Sequence, residues 1–442
     1  MARGTGQLVE FAAGARYEQL PAAVVEAAKV VILDGFANMI AGSRQPVSGY
    51  IRTYFTAQGG NPEATVAGAR LPASSAAFVN GVALHCLDYE VQGYPSAHGT
   101  SSILPAVLAL AERAGASGAD VITAFAVGWD VQQRLRTAGE KAPPRGFHPP
   151  GVVGPMGAVA AAANLLRLPE AATAAAFGLA ASRAGGLFAN NGTMAKALHP
   201  GGAARAGVEC AGLAACGVTA NPAILEDHRG YVAAFFGEAY DEKALGTAHH
   251  LVDPGFAIKR FPAEIFMQWP MEAMRTLREE EGLDPGEVAE IVVEPPVFRA
   301  DLSRPSPESG LDGKFSYEYC VAVALTQPEV RIGSFADAVL RSEVMQETLP
   351  KIRLVHNPDI PRDKAHTWAR VTVHTHDGRT LARTCRRYLG AIGRPMDRET
   401  RLRKVADCLS EASRSWEPLV DVVERLETLP DLSELVQLIA DE

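Results

Sequence analysis

The chain has 442 residues, a formal net charge of -9, and 47% hydrophobic against 21% charged residues. That length exceeds what one ordinary core organises, so two domains are expected. The acidic balance leaves no basic stripe to displace counterions from phosphates, which excludes a nucleic-acid partner, and no stretch reaches the roughly eighteen uninterrupted apolar residues of a membrane span.

In chain order, the N-terminal stretch through Pro21 has no continuous apolar run of the kind that directs secretion. Leu20 to Gly42 reads as a helix with Pro21 near its start and apolar residues on more than one face. Asn80 to Glu112 reads as an apolar helix, a polar loop and a second apolar helix. The loop carries Asp88, Glu90, Tyr94, Ser96 and His98. Val152 to Leu168, Pro169 to Gly186 and Ala203 to Gly217 are Ala-rich helices whose glycines permit close approach. Residues 1–260 are therefore expected to form a large all-helical domain.

The pattern changes after Phe261. Ala289 to Pro296 is a β-branched strand, and Ala369 to Cys385 is a hairpin with Asp377-Gly378 as its two-residue turn. Helical segments at 270–282 and 318–326 lie between them, giving an α+β domain over 261–399. Helical periodicity returns over 400–442, which is expected to pack back on the first domain. The fold class is thus mainly α, with a smaller α+β lid. Six cysteines without CxxC spacing suit buried free thiols in a reducing cytoplasm.

Three clusters carry the chemistry. The first is the 88–98 loop. The second is Gly146 to Gly157, with His148, and the third is Met194 to Gly207, with Lys196, His199 and Arg205. Carboxylates and histidines between buried helices suit proton transfer. Each residue also has a plain structural role open to it: His98 could cap the helix that starts near Ser101, His148 could order a Pro-rich turn, and His85 could make an ordinary helical hydrogen bond. Lys196 in a small apolar segment is costly unless it meets an anion. Asp88 stands at a helix end, where the dipole disfavours a carboxylate, so a partner or a task is implied. His249-His250, His374 and His376 read as solvated. No GxGxxG, GxxxxGK[ST] or metal-ligand spacing occurs, so no cofactor and no metal are expected.

Read together, LPAAVVEAAKVVILDGFANMIAG, NGVALHCLDYE, SAHGTSSILPAVLALAE, FHPPGVVGPMGAVAAAANLL, MAKALHPGGAARAG, IKRFPAE, KFSYEYCVAVAL and GRPMDRETRLRKV resemble the MmgE/PrpD family over nearly the whole chain, in wording nearest its cis-aconitate decarboxylase branch. The resemblance implies a helical domain with a smaller α+β lid, a homodimer, and cofactor-independent chemistry on a small organic acid. It implies a site of Asp88, His98, His148, Lys196 and Tyr319, in which the two histidines act as base and acid in either order, Lys196 stabilises developing charge, Asp88 orients a histidine or shares its proton and Tyr319 donates a hydrogen bond or proton. Lys259 and Arg260 are placed to hold a carboxylate, with His199 alongside. Departures fall at Glu264 and Gln268, where relatives usually carry histidine, at Glu90-Val91 and at Gly99-Thr100. The expected function is a dehydratase or decarboxylase lyase. The alternatives are an isomerase or epimerase, or a diverged member acting on a less carboxylated intermediate, cyclisation included.

Overall fold

The computed structural model describes residues 3–142, 145–363 and 365–440. Its apolar side chains form two large cores, one within 8–258 together with 332 and 396–439, the other within 261–391.

The first core is a stack of helices, chiefly Ala22–Gly42, Ala73–His85, Thr100–Ala114, Gly118–Ala138, Pro149–Leu165 and Leu198–Ala215. Alanine and glycine dominate their facing surfaces because backbones this close leave little room for side chains. Helices Gly118–Ala138 and Pro149–Leu165 cross at a pair of glycines: a Cβ on Gly128 would stand 2.7 Å from the Gly157 carbonyl, and one on Gly157 would stand 2.8 Å from the Gly128 carbonyl. This crossing sets the height of Pro149, and so of His148 just before it.

The expectation of an all-helical first domain is corrected by a short antiparallel hairpin, Ala64–Val66 with Ala69–Leu71. A two-residue ladder also joins Gln92–Gly93 to Phe256–Ala257. The ladder ties the 88–98 loop to the segment that enters the second core. Helices Arg398–Ser410, Glu417–Glu424 and Ser433–Ala440 place Val405, Cys408, Leu419, Val423 and Leu435 in the first core. The last two residues of the predicted tail lie outside the described residues.

The second core lies between helices Gln268–Glu281 and Tyr317–Thr326 and a four-stranded sheet. In that sheet Val288–Glu294 pairs in parallel with Ile352–Leu354 and antiparallel with Ala369–Thr375, which pairs with Thr380–Cys385. The hairpin is where the sequence pattern placed it, but its loop is three residues long, His376 to Gly378, because the Thr375 N–H still donates to the Arg379 carbonyl at 3.0 Å. Gly378 takes the left-handed position, φ +88°, that such a loop requires.

Of the six thiols, Cys210, Cys320, Cys385 and Cys408 are buried and all six are free. Cys216 is exposed, contrary to the expectation of buried thiols throughout. No helix among the described residues is long and apolar enough to cross a membrane. Gly157→Ala should lower unfolding free energy by about 1–3 kcal/mol through overpacking at the crossing. Urea denaturation followed by circular dichroism measures it, and a midpoint equal to that of the parent chain would show that the helices can separate freely.

Candidate active site

Helix Ala73–His85 stops because the chain reverses at Asp88, which adopts φ +53°. Aspartate is one of the few non-glycine residues that tolerate this conformation. The turn leaves three consecutive carbonyls without helical partners, and each receives a buried ammonium. Lys314 donates to Leu87 O at 2.8 Å, Lys259 to Asp88 O at 2.8 Å, and Lys404 to Tyr89 O at 2.6 Å. The three lysines come from the second core, the junction and a C-terminal helix. Lys404 is also 2.6 Å from Asp34.

The Asp88 carboxylate hydrogen-bonds Lys196, and Lys259 lies 3.8 Å from it. Burial opposes its ionisation, but Lys196 and Lys259 outweigh that and hold the carboxyl well below the usual carboxylate range. This is the anion that Lys196 required. The expected role of Asp88 in orienting a histidine falls instead to Glu90, which accepts from His85 Nδ1 at 2.6 Å, from Ser101 N–H at 2.9 Å and from Ser101 Oγ at 2.6 Å. Glu90 thereby sits at the N-terminus of helix Thr100–Ala114, where the dipole favours a negative charge. Burial raises its pKa, and His98 and His85 overcome this to keep it low.

His98 does not cap that helix. Its Nδ1 is 3.3 Å from Glu90 Oε1, and the Gln92 amide lies 3.2 Å from its Nε2. With Gln92 donating to Nε2, the ring hydrogen belongs on Nδ1, facing Glu90. Burial pulls the His98 pKa down to about 3 despite Glu90, with Lys259 adding to the effect. His148 precedes helix Pro149–Leu165 and its Nδ1 is 3.1 Å from His199 Nδ1. Burial, then Lys196, hold His148 well below the ordinary histidine range, and burial also lowers half-buried His199. The His85, His98 and His148 rings lie 4.7 to 6.4 Å apart by centroid.

These groups surround a cavity of about 180 Å³ lined by Asp88, His98, His148, Lys196, Lys259 and Glu264, among others. Glu264 also accepts the Phe266 N–H at 2.6 Å. Four expected residues lie elsewhere. Tyr319 is a core residue, its hydroxyl donating to the Ser334 carbonyl at 3.2 Å and its ring edge-on to Phe335. Arg260 is neutralised by buried Glu272 at 2.9 Å rather than available to a substrate. Gln268 accepts the Arg260 and Phe261 N–H groups, both at 3.0 Å, and returns its amide to the Phe261 carbonyl, fixing the chain just after Lys259. His199 stands behind His148. Arg205 pairs with Glu209, and His249 and His250 gather on buried Asp130 rather than in solvent.

His85, Asp88 and His98 each offer an atom within 4.8 Å of the others, the closest approach to a metal site among the described residues. The donor set fits a metal poorly, because Asp88 already faces two ammonium groups where a cation would have to stand.

The sequence matches the MmgE/PrpD N-terminal domain over residues 6–243 and the MmgE/PrpD C-terminal domain over residues 261–426. The chain belongs to the MmgE/PrpD family and is an enzyme of that family's dehydratase and decarboxylase lyase type. It is 31% identical to cis-aconitate decarboxylase of Mus musculus and 32% identical to that of Homo sapiens, over 96% of this chain and 91% and 92% of those proteins. It is also 26% identical to the cis-aconitate decarboxylase-like protein oryM of Aspergillus oryzae, over 99% of this chain and 97% of that protein. The second matched region runs into helices whose apolar side chains sit in the first core.

Lys196→Ala strands the Asp88 carboxylate, so it should lose about 3 kcal/mol of stability as well as activity. The double variant Asp88→Asn, Lys196→Met keeps a residue suited to the left-handed turn and should recover part of that loss. Guanidinium unfolding of both proteins decides it, since a single variant as stable as the parent would mean the pair is not energetically coupled.

Proposed function

We propose that the chain is a cofactor-independent decarboxylase of a small unsaturated acid bearing two carboxylates. The observation that carries this reading is one buried cavity in which two ammonium groups, Lys196 and Lys259, face two neutral histidines. In the step proposed, the bond from a methylene carbon to its carboxylate breaks and carbon dioxide leaves. The released pair forms a new carbon-carbon double bond, and the old double-bond pair moves to the carbon beside a second carboxylate. The resulting enediolate takes one proton at that carbon.

Lys196 and Lys259 bind the carboxylates and stabilise the enediolate as its charge grows. His148 delivers the proton. Half-buried His199 hydrogen-bonds its Nδ1 and provides a path for resupply from solvent. His98, with both nitrogens facing protein groups, orients substrate from the Glu90 side. Glu264 on the same wall disfavours a further carboxylate beside it, and this observation favours a substrate with fewer charges than a tricarboxylate. A homodimer is proposed too, with Tyr50 and Tyr54 exposed one turn apart on helix Pro46–Gln58 as an available surface; sedimentation as a monomer at micromolar concentration would contradict it.

His148→Ala should lower kcat by about 10²- to 10⁴-fold with the far-ultraviolet spectrum unchanged. Carbon dioxide release at the parent rate in that variant would remove His148 from the mechanism. A second expectation concerns pH. Burial lowers the Lys259 pKa to about 8 despite Asp88, so its positive charge is present below that value and lost above it. Hence kcat/KM should fall as pH rises through about 8. In Lys259→Arg, whose guanidinium stays charged, the fall should disappear from this range. A flat parent profile from pH 7 to about 9.5 would mean Lys259 does not meet substrate.

A further inference from the structure

The reaction cavity does not end at its charged groups. Arg136, Pro149, Phe188, Asn191 and Arg299 line both it and a second, much larger groove of about 820 Å³. Phe188 stands at the junction: its ring is edge-on to His148 at 5.4 Å on one side and has the Arg299 guanidinium 5.7 Å away. Beyond it the groove is walled by Phe147, Val152, Val153, Phe235 and Phe236, with Phe147 and Phe235 packed edge to face at 5.3 Å. Arg136 and Glu140 also line it, and its other charged side chains have protein partners. Arg145 donates to the Ala234 carbonyl, Arg299 pairs with Asp301, and Arg304 pairs with Asp312. Between these charged groups the groove offers an occupant a continuous apolar and aromatic wall.

The reaction cavity, at about 180 Å³, is far smaller than the groove of about 820 Å³ that continues from it. We propose that the substrate carries an apolar substituent, alkyl or aryl, on its carboxylate-bearing head, and that this substituent lies in the groove past Phe188. The inference rests on the acid-binding reading of the cavity and deepens it. Glu264 limits how many carboxylates the head brings, while the groove supplies affinity by burying carbon. The two walls together select a molecule charged at one end and apolar at the other.

The test is calorimetric titration of the full-length protein with two unreactive saturated dicarboxylic acids, butanedioate and its 2-hexyl derivative. It is repeated on Ala189→Trp, which fills the groove from an exposed position away from the reaction cavity. The hexyl acid should bind at least tenfold more tightly than the parent acid, and Ala189→Trp should erase most of that difference. Equal or weaker binding of the hexyl acid, with the parent acid still bound, overturns the substituent while leaving the acid-binding reading intact. Binding of neither acid overturns both. A tenfold gain that persists in Ala189→Trp also overturns the proposal, because the chain would then be buried elsewhere. If a second copy covers the groove, the hexyl acid gains nothing and Ala189→Trp shifts the sedimentation coefficient toward monomer.

Discussion

The site depends on one backbone reversal and the charges that satisfy it. Turning left at Asp88 points the carbonyls of Leu87, Asp88 and Tyr89 into protein rather than along a helix, and an unpaired buried carbonyl is costly. Three ammonium groups meet them, from Lys314, Lys259 and Lys404. Because those lysines belong to the second core, the junction and the C-terminal helices, the loop is a point where all three parts of the chain converge. A lysine is expensive to bury alone, so Asp34, Asp88 and Glu90 are also needed inside. The catalytic electrostatics are in this sense a by-product of closing the fold.

That constraint explains why the histidines are neutral at rest. His98 and His148 are buried beside ammonium groups, so a further positive charge is disfavoured. Glu90 could have countered this for His98, but its capacity is divided among His85, Ser101 and the helix N-terminus. The result is a cavity in which two ammonium groups share one carboxylate, Asp88, beside two uncharged imidazoles.

Much of the fold was legible because helices buried on several sides show Ala- and Gly-rich stretches, and because a β-branched run and a Gly-containing turn mark the sheet. The short ladders were not legible. Gln92–Gly93 and Phe256–Ala257 pair over two residues each, too few to impose alternation. In the site, the cluster of Asp88, His98, His148 and Lys196 was readable from polar residues stranded between apolar helices. Tyr319 and Arg260 were expected only through the family resemblance and went to the second core and to Glu272, contacts that residue type and spacing do not reveal. Lys314 and Lys404 carried no signal, since their partners are carbonyls present in every residue. Glu90 was visible as a loop acid, but its part as the carboxylate that organises His85, His98 and Ser101 depends on where helix Thr100–Ala114 begins in space.

On the proposed reading, the resting state and the reacting state differ by the charge that substrate brings. An entering dicarboxylate offsets Lys196, and so relieves the part of the His148 depression that this ammonium adds to burial. Protonation of His148 is thus less opposed with the acid in place, and half-buried His199, hydrogen-bonded to it, is placed to resupply that proton. A cavity so small and so charged recognises a head group well and discriminates poorly among acids of similar size. Selection among acids therefore falls to whatever adjoins it, and what adjoins it past Phe188 is the apolar groove.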